Sequence, residues 1–333
     1  MYQEFFGLTA APFELTPDPA FLYLPPQHQE ALTTLRYALR ARKGLTVLTG
    51  EAGLGKTTLL QVAFADQVEL PTRLLIIKNP ALTRAEFLET LTHEFSLGSA
   101  AAASKTVLLR NLERKLLEYR DRGIYVGLIV DEAHTMPWDL LEEIRLLGNI
   151  ETTAGKLLST ILVGQPELSD RLDEPALRQL KQRVALRCEL SPLSHREVFE
   201  YIATRSTVAG NPGADLFTRD ALALIYQQSQ GIPRMINVIC DNALVSGFAC
   251  AQRPVGVELV REVCRDFHLS PGPAPVVEAV QPTPGASPAA PERGFLSVPG
   301  SAEENAAAAE QERPRFSMFH RSGLGRIARV FQR

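Results

Sequence analysis

"GEAGLGKTT", residues 50–58, decides the fold. It fits G-x-x-x-x-G-K-[ST], with Gly50, Gly55, Lys56 and Thr57 at the fixed places, Glu51, Ala52, Gly53 and Leu54 between them, and Thr58 following. The stretch closes an apolar run, "LTVLTG" (45–50), and opens a helical pattern, "KTTLLQVAFADQ" (56–67). That context matters, because a strand must deliver the loop and a helix must leave it. Glycines let successive N–H groups curl toward one centre, and the helix N-terminus adds partial positive charge there. The amides of residues 50–58 are therefore expected to cradle phosphates. Lys56 would reach the β and γ phosphates of ATP, and the Thr57 hydroxyl would ligate Mg²⁺.

Four more short runs read as strands: "RLLIIKN" (73–79), "IYVGLIVD" (124–131), "LLSTILVG" (157–164) and "VALRCEL" (184–190). They are nearly all apolar, as expected for strands covered on both faces. Between them lie helical patterns, "RAEFLETLTHEF", "TVLLRNLERKLLEY" and "WDLLEEIRLLGNI". Strand alternating with helix predicts an α/β parallel sheet flanked by helices. After Leu190 the strands stop, and four helical patterns within 194–267 predict a small all-α domain.

The strand "IYVGLIVD" ends in two carboxylates. Asp131 is expected to hold Mg²⁺, and Glu132 to take the proton of the attacking water. Residues 131–134 also spell Asp-Glu-Ala-His, the signature of a helicase class. Such a helicase would carry an S-A-T triplet and a Q-x-x-G-R-x-G-R run in a second α/β domain, and neither occurs here. The quartet therefore reports nucleotide chemistry and not unwinding. His134 either couples nucleotide state to the following helix or is a solvated loop residue.

Polar Gln165 follows the fourth strand, where it either orients water at the γ-phosphate or forms a turn before Pro166. Arg178 and Arg183 precede the fifth strand. Each is a candidate to project into a neighbouring copy's nucleotide, Arg183 lying nearer the strand. "QGIPRMINVICDNAL" opens a helix with Gly231, Pro233 and Arg234. Proline suits the first helical turn, and Arg234 beside it could reach back toward the γ-phosphate.

In order, "GEAGLGKTT", "LIVDEAH", "LLSTILVGQPELSDRL", "LRQLKQRVALRCELSPL" and "GIPRMINVICDNAL" resemble the AAA+ ATPases of the ExeA/GspA (general secretion pathway protein A) type. The opening "FFGLTAAPFELTPDPAFLYL" is also similar, so the resemblance spans about residues 1–268. It implies a P-loop NTPase core, a helical lid, ATP hydrolysis, and a homo-oligomeric ring or filament. It casts Gln165 as sensor 1, Arg183 as the arginine finger and Arg234 as sensor 2. An envelope or membrane-associated protein partner follows from the same likeness. Secretion-type members often continue into a membrane span and a peptidoglycan-binding domain, and neither pattern occurs in this sequence. Stand-alone relatives serve exopolysaccharide gene sets or, in TnsC-like regulators, act as DNA-binding scaffolds of transposition.

Composition bounds the rest. The net charge is −3, but residues 313–333 hold six arginines and no acid, so the preceding chain is more acidic than the whole. That argues against a phosphate-backbone binder, because DNA is met by Lys and Arg clusters. Cys188, Cys240, Cys250 and Cys264 have no metal-ligand spacing and read as free thiols of a reducing compartment. There is no secretory signal, and no apolar run approaches the roughly 18 residues of a span. Cytoplasmic residence is expected, with contact at the inner membrane through the tail. The expected organisation is an N-terminal segment packing on the ATPase core (1–40), the α/β domain (41–192) and the helical lid (193–268). A Pro/Ala-rich linker (269–312) and a basic amphipathic tail (313–333) would follow. The linker carries eight prolines from Pro271 to Pro299. The tail's apolar stripe beside arginines suits a membrane surface or a partner's groove.

Overall fold

Strand β1 (Leu45–Gly50) runs through the middle of the molecule with every residue buried. In the computed structural model, the described residues are 1–269 without 17, 66–70, 99, 102–103, 154 and 212–215. The expected linker and tail lie outside them, except Leu269, which packs against the helical cluster described below. The other strands are β2 (Thr72–Ile77), β3 (Tyr125–Val130), β4 (Glu151–Thr152), β5 (Gly155–Lys156), β6 (Ser159–Gly164) and β7 (Val184–Leu190). Five of them form one parallel sheet in the order β2-β3-β6-β1-β7. Parallel pairing places the C-terminal ends of β1, β3 and β6 side by side, and the loops with Lys56, Asp131 and Gln165 leave from that edge.

The helices are α1 (Tyr2–Phe6), α2 (Pro26–Arg40), α3 (Lys56–Ala65), α4 (Arg84–Glu94), α5 (Lys105–Asp121), α6 (Trp138–Leu147), α7 (Glu167–Asp173) and α8 (Arg178–Lys181). The chain continues through α9 (His195–Val208), α10 (Arg219–Ser229), α11 (Pro233–Ala249) and α12 (Val257–Asp266). Alternate residues of the sheet face opposite sides. Val47, Leu128, Val130 and Leu162 pack with Phe87 and Leu91 of α4, Leu108, Leu112 and Leu116 of α5 and Ile144 of α6. Leu48, Ile129, Ile161 and Val163 pack with α2 and α3 on the other side. Buried Glu143 fastens the first layer. It accepts from Arg84 at 2.7 Å and from Lys105 at 2.8 Å, so one carboxylate joins α4, α5 and α6.

Two expectations shift at the sheet edges. β7 is not covered on both faces: Ala185, Arg187 and Glu189 are exposed. It is an edge strand, and its charged side chains hinder further strand pairing. β2 stops at Ile77, three residues before Pro80, which cannot donate to a ladder. The β4–β5 hairpin, a two-stranded antiparallel pair, had no distinct sequence signal.

Helices α9 to α12 share a separate cluster built on Val198, Ile225, Ile239 and Val260. Ser194 and Glu197 start α9 with a capping box, as Thr83 and Glu86 start α4. The first 40 residues, expected to pack together on the ATPase core, divide instead. Ala31, Leu32, Leu35 and Leu39 of α2 lie in the sheet's cluster, with Leu22 and Leu24 packed against it. Phe6, Leu8, Phe13 and Phe21 are buried in the helical cluster, where large aromatics fill the space between short helices. Arg205, 8% exposed, secures them. It donates to the Pro12 carbonyl at 2.5 Å and to the Phe21 carbonyl at 3.5 Å, and its guanidinium lies over the Phe21 ring at 5.1 Å. Asn211 donates to the Phe6 carbonyl at 2.8 Å.

Candidate functional site

The loop between β1 and α3 is curled as its glycines require. Gly53 and Gly55 have φ of +86° and +89°, the left-handed region that a side chain disfavours. Leu54 N–H donates to the Glu51 carbonyl at 3.4 Å, and Leu59 N–H to the Gly55 carbonyl at 2.9 Å. Lys56 is 7% exposed. Its ammonium donates to the carbonyls of Gly50 at 2.6 Å and Glu51 at 2.9 Å, across the mouth of the loop. Burial pushes its pKa below the ordinary 10.5, while Glu132, Asp131, Glu51 and Glu167 act in the opposite sense. Those four carboxylates are therefore the charges that a lysine at this place feels.

The two residues expected to hold Mg²⁺ meet. Thr57 Oγ1 donates to Asp131 Oδ2 at 3.2 Å, joining residues 74 positions apart. Asp131 Oδ1 accepts the Glu132 N–H at 3.0 Å. Glu132 itself has φ of 53°, uncommon for a residue with a side chain. A 3-10 turn, Ala133–Thr135, follows it, and Thr135 Oγ1 donates to the Glu132 carbonyl at 2.9 Å. Hydroxyl beside carboxylate is a hard oxygen pair suited to magnesium, and an amide cradle with one buried lysine suits phosphates. The residues present thus fit MgATP.

Gln165 stands at the end of β6 and joins this group through His134: its backbone N–H approaches His134 Nδ1 at 3.4 Å and its side-chain amide meets Nε2 at 3.2 Å. Arg234, exposed at the start of α11, reaches the loop from the helical cluster. Its N–H donates to the Gly53 carbonyl at 3.3 Å. A Cβ placed on Gly53 would lie 2.8 Å from Arg234 Cβ. The helix therefore starts directly against the phosphate loop.

Arg178 and Arg183 are not brought to this edge. Arg183 precedes β7 at the opposite, N-terminal edge of the sheet. There it lines a cavity of about 140 Å³ with Leu45, Arg145, Lys156 and Thr160 among others. Its charge acts on Glu142 and Glu151; its backbone N–H donates to the Leu180 carbonyl at 2.9 Å, and its guanidinium forms no hydrogen bond or ion pair among the described residues. Arg178 is exposed on α8.

Three further residues border the site without a sequence signal. His28, buried in α2, has Nε2 3.1 Å from the Leu54 carbonyl. Burial lowers its pKa from 6.5, with the Leu54 carbonyl and Glu197 opposing. Arg171 of α7 donates to the carbonyls of His134 and, at 2.7 Å, Met136. Trp138, 40% exposed, lies under the Arg171 guanidinium at 5.7 Å.

Comparison with known proteins adds independent observations. A family model described as AAA domain matches residues 39–172. General secretion pathway protein A of Aeromonas hydrophila is 42% identical over 249 residues, which are 75% of this chain and 45% of that protein. The chain thus spans less than half the length of that curated relative. Cdc6p of Pyrobaculum aerophilum has a TM-score of 0.57 at 18% identity, covering 75% of this chain and 71% of that one. Drosophila ORC bound to DNA has a TM-score of 0.57 at 20% identity, covering 81% and 66%. At such identities the likeness concerns the fold alone. No helix among the described residues is long and apolar enough to cross a membrane.

Proposed function

We propose that the chain is an AAA ATPase of the ExeA/GspA type, as its AAA domain match and its 42% identity to general secretion pathway protein A support, and that it hydrolyses MgATP at a site shared between copies and couples turnover to an envelope-associated assembly. One observation carries the shared site. Arg183 lies at the sheet edge opposite its own phosphate loop and lines a cavity there, its guanidinium without a hydrogen-bonded partner among the described residues. An arginine there cannot serve its own Lys56, but it can serve a neighbour's.

MgATP supplies the transferring phosphoryl group and the metal's charge. The amides of Gly50 to Thr58 hold the phosphates, and Lys56 exchanges its loop carbonyls for phosphate oxygens. Thr57 and Asp131 would hold the metal, whose charge would offset that of the phosphates. Glu132 accepts the proton of the attacking water, and Gln165 orients that water. Arg234 ties the position of the helical lid to the γ-phosphate, because α11 begins on Gly53. Arg183 of a neighbouring copy neutralises charge spreading over the phosphoryl oxygens. Relatedness to a secretion ATPase supports the envelope-associated client, and the cytoplasmic side of the inner membrane is its place of action.

Mixing tests the shared site. An Arg183→Ala protein and a Lys56→Ala protein, each inactive alone, should recover turnover together, since one mixed interface joins an intact loop to an intact arginine. No recovery at concentrations where wild type assembles would refute action between copies. Turnover measured with anionic liposomes and with duplex DNA separates the clients: stimulation by DNA alone would replace the envelope reading with a DNA-bound scaffold.

A further inference from the structure

One imidazole bridges two strand ends at the site. His134 lies in the turn after β3, and only 15% of its side chain is exposed. Its Nδ1 is 3.5 Å from a Glu132 carboxylate oxygen. The Gln165 backbone N–H lies 3.4 Å from the same nitrogen, and the Gln165 side chain meets Nε2 at 3.2 Å. Both ring nitrogens thus face Gln165 at β6's exit, Nδ1 accepting its backbone N–H, while the Glu132 carboxylate at β3's exit stands beside the same ring in contact and without a hydrogen bond to it.

The turn has little slack. Arg171 grips the carbonyls of His134 and Met136 and stacks on Trp138. A Cβ on Gly164 would stand 3.0 Å from Leu168 Cδ2 and 3.2 Å from His134 N, so a side chain there would crowd the turn against β6. Thr135 holds the Glu132 carbonyl from the other side at 2.9 Å. A ring fixed at its backbone and contacted at both nitrogens transmits displacement between its neighbours. A solvated histidine would not.

We propose that His134 is a positioning residue for hydrolysis: it holds Glu132 and Gln165 in one register, so the group facing the γ-phosphate and the group taking water's proton move together. This rests on the roles of Glu132 and Gln165 given above and adds the connection between them. The ring's contacts are with Glu132 and Gln165. Its effect is therefore on turnover and on how the turn responds to nucleotide, not on affinity.

The test uses the full chain, steady-state ATP turnover, binding of a nonhydrolysable ATP analogue, and the emission of Trp138, the one tryptophan in the sequence. His134→Ala should lower kcat by about 10²-fold, the usual consequence of displacing a reacting group by an ångström. Analogue affinity should stay within about threefold, since a loss confined to kcat marks an interaction used only in the transition state. His134→Asn, whose amide oxygen can still accept from the Gln165 N–H, should regain most of the turnover and guards against a folding defect in the alanine variant. The double variant with Gln165→Ala should be slowed by less than the product of the two single effects, because both lose the contact of the Gln165 side chain with Nε2. Trp138 emission should distinguish the analogue from ADP in wild type and fail to do so in His134→Ala.

Turnover of His134→Ala within twofold of wild type would overturn the proposal, as would effects of His134 and Gln165 that multiply, or a loss of affinity parallel to the loss of turnover. Glu132→Gln separates the two levels. If it turns over like wild type, the assigned base is wrong. If it is slow while His134→Ala is not, only the bridge is wrong.

Discussion

Gly53→Ala tests whether the helical cluster sits directly on the phosphate loop. The methyl would appear at φ +86°, 2.8 Å from Arg234 Cβ and 3.1 Å from Ile232 Cγ2. Two costs arise: a left-handed alanine costs about 1–2 kcal/mol, and forcing a methyl into occupied space costs about 1–3 kcal/mol more. Gly55→Ala isolates the second term. Its φ is +89°, nearly the same, yet a Cβ there meets nothing within 4 Å. Both proteins should therefore lose the backbone term, and only Gly53→Ala the packing term. With each kcal/mol worth roughly 2–4 °C in a protein of this size, Gly53→Ala should melt lower than Gly55→Ala by several degrees, measured without nucleotide. Its proton exchange should also rise at the Arg234 amide, which now donates to the Gly53 carbonyl. Equal midpoints for the two alanines, with the Arg234 amide unchanged, would refute a close seat for α11 on the loop.

Other residues give shorter tests. Glu132→Gln should bind a nonhydrolysable ATP analogue like wild type and turn over at least about 100-fold more slowly, as losing a positioned base does. Arg205→Leu strands the Pro12 and Phe21 carbonyls, each at a cost of roughly 1–3 kcal/mol; the midpoint should fall and protease should cut sooner within residues 1–21, and unchanged cleavage there would count against the anchoring role. His28 is neutral more readily in the fold than in the open chain, because burial lowers its pKa from 6.5. The unfolded chain therefore binds the proton first, and stability should fall as pH drops below about 6.5, the loss levelling off beneath the lowered value. His28→Gln cannot titrate and should show a smaller fall in unfolding midpoint between about pH 7.5 and 5.5, while identical falls would exclude His28 as a contributor.

The sheet was legible because its central strands are covered on both faces, so β1, β3 and β6 are fully buried runs with few polar residues, among them Thr46, Thr49, Ser159 and Thr160. The phosphate loop was legible because its chemistry is local: nine consecutive residues state the glycines, the lysine and the hydroxyl. Where each segment packs was harder to read. Phe6, Phe13 and Phe21 announce burial but not their partner, and the helical cluster, not the sheet, receives them. Edge position was equally silent, since β7's charges read as ordinary until the sheet order leaves one side open.

The connections within the site are of this second kind. Thr57 with Asp131 could be expected, because each residue type announces a metal ligand. His134 with Gln165 could not, because neither residue type implies the other across 31 positions. The same holds for Arg234 against Gly53, which depends on how the chain passes from β7 to α9, where the Leu193 N–H donates to the Gly231 carbonyl at 2.9 Å. Both connections depend on a missing side chain. A Cβ on Gly53 would enter the space of Arg234, and one on Gly164 would press on His134. A motif reports Gly53 as a loop residue and says nothing of Gly164. Their shared property is that something else must come close, and that distance is a tertiary fact. This is why the comparison of Gly53→Ala with Gly55→Ala is informative: the motif fixes Gly55 and leaves Gly53 open, the two share nearly the same φ, and only at Gly53 does packing forbid a side chain.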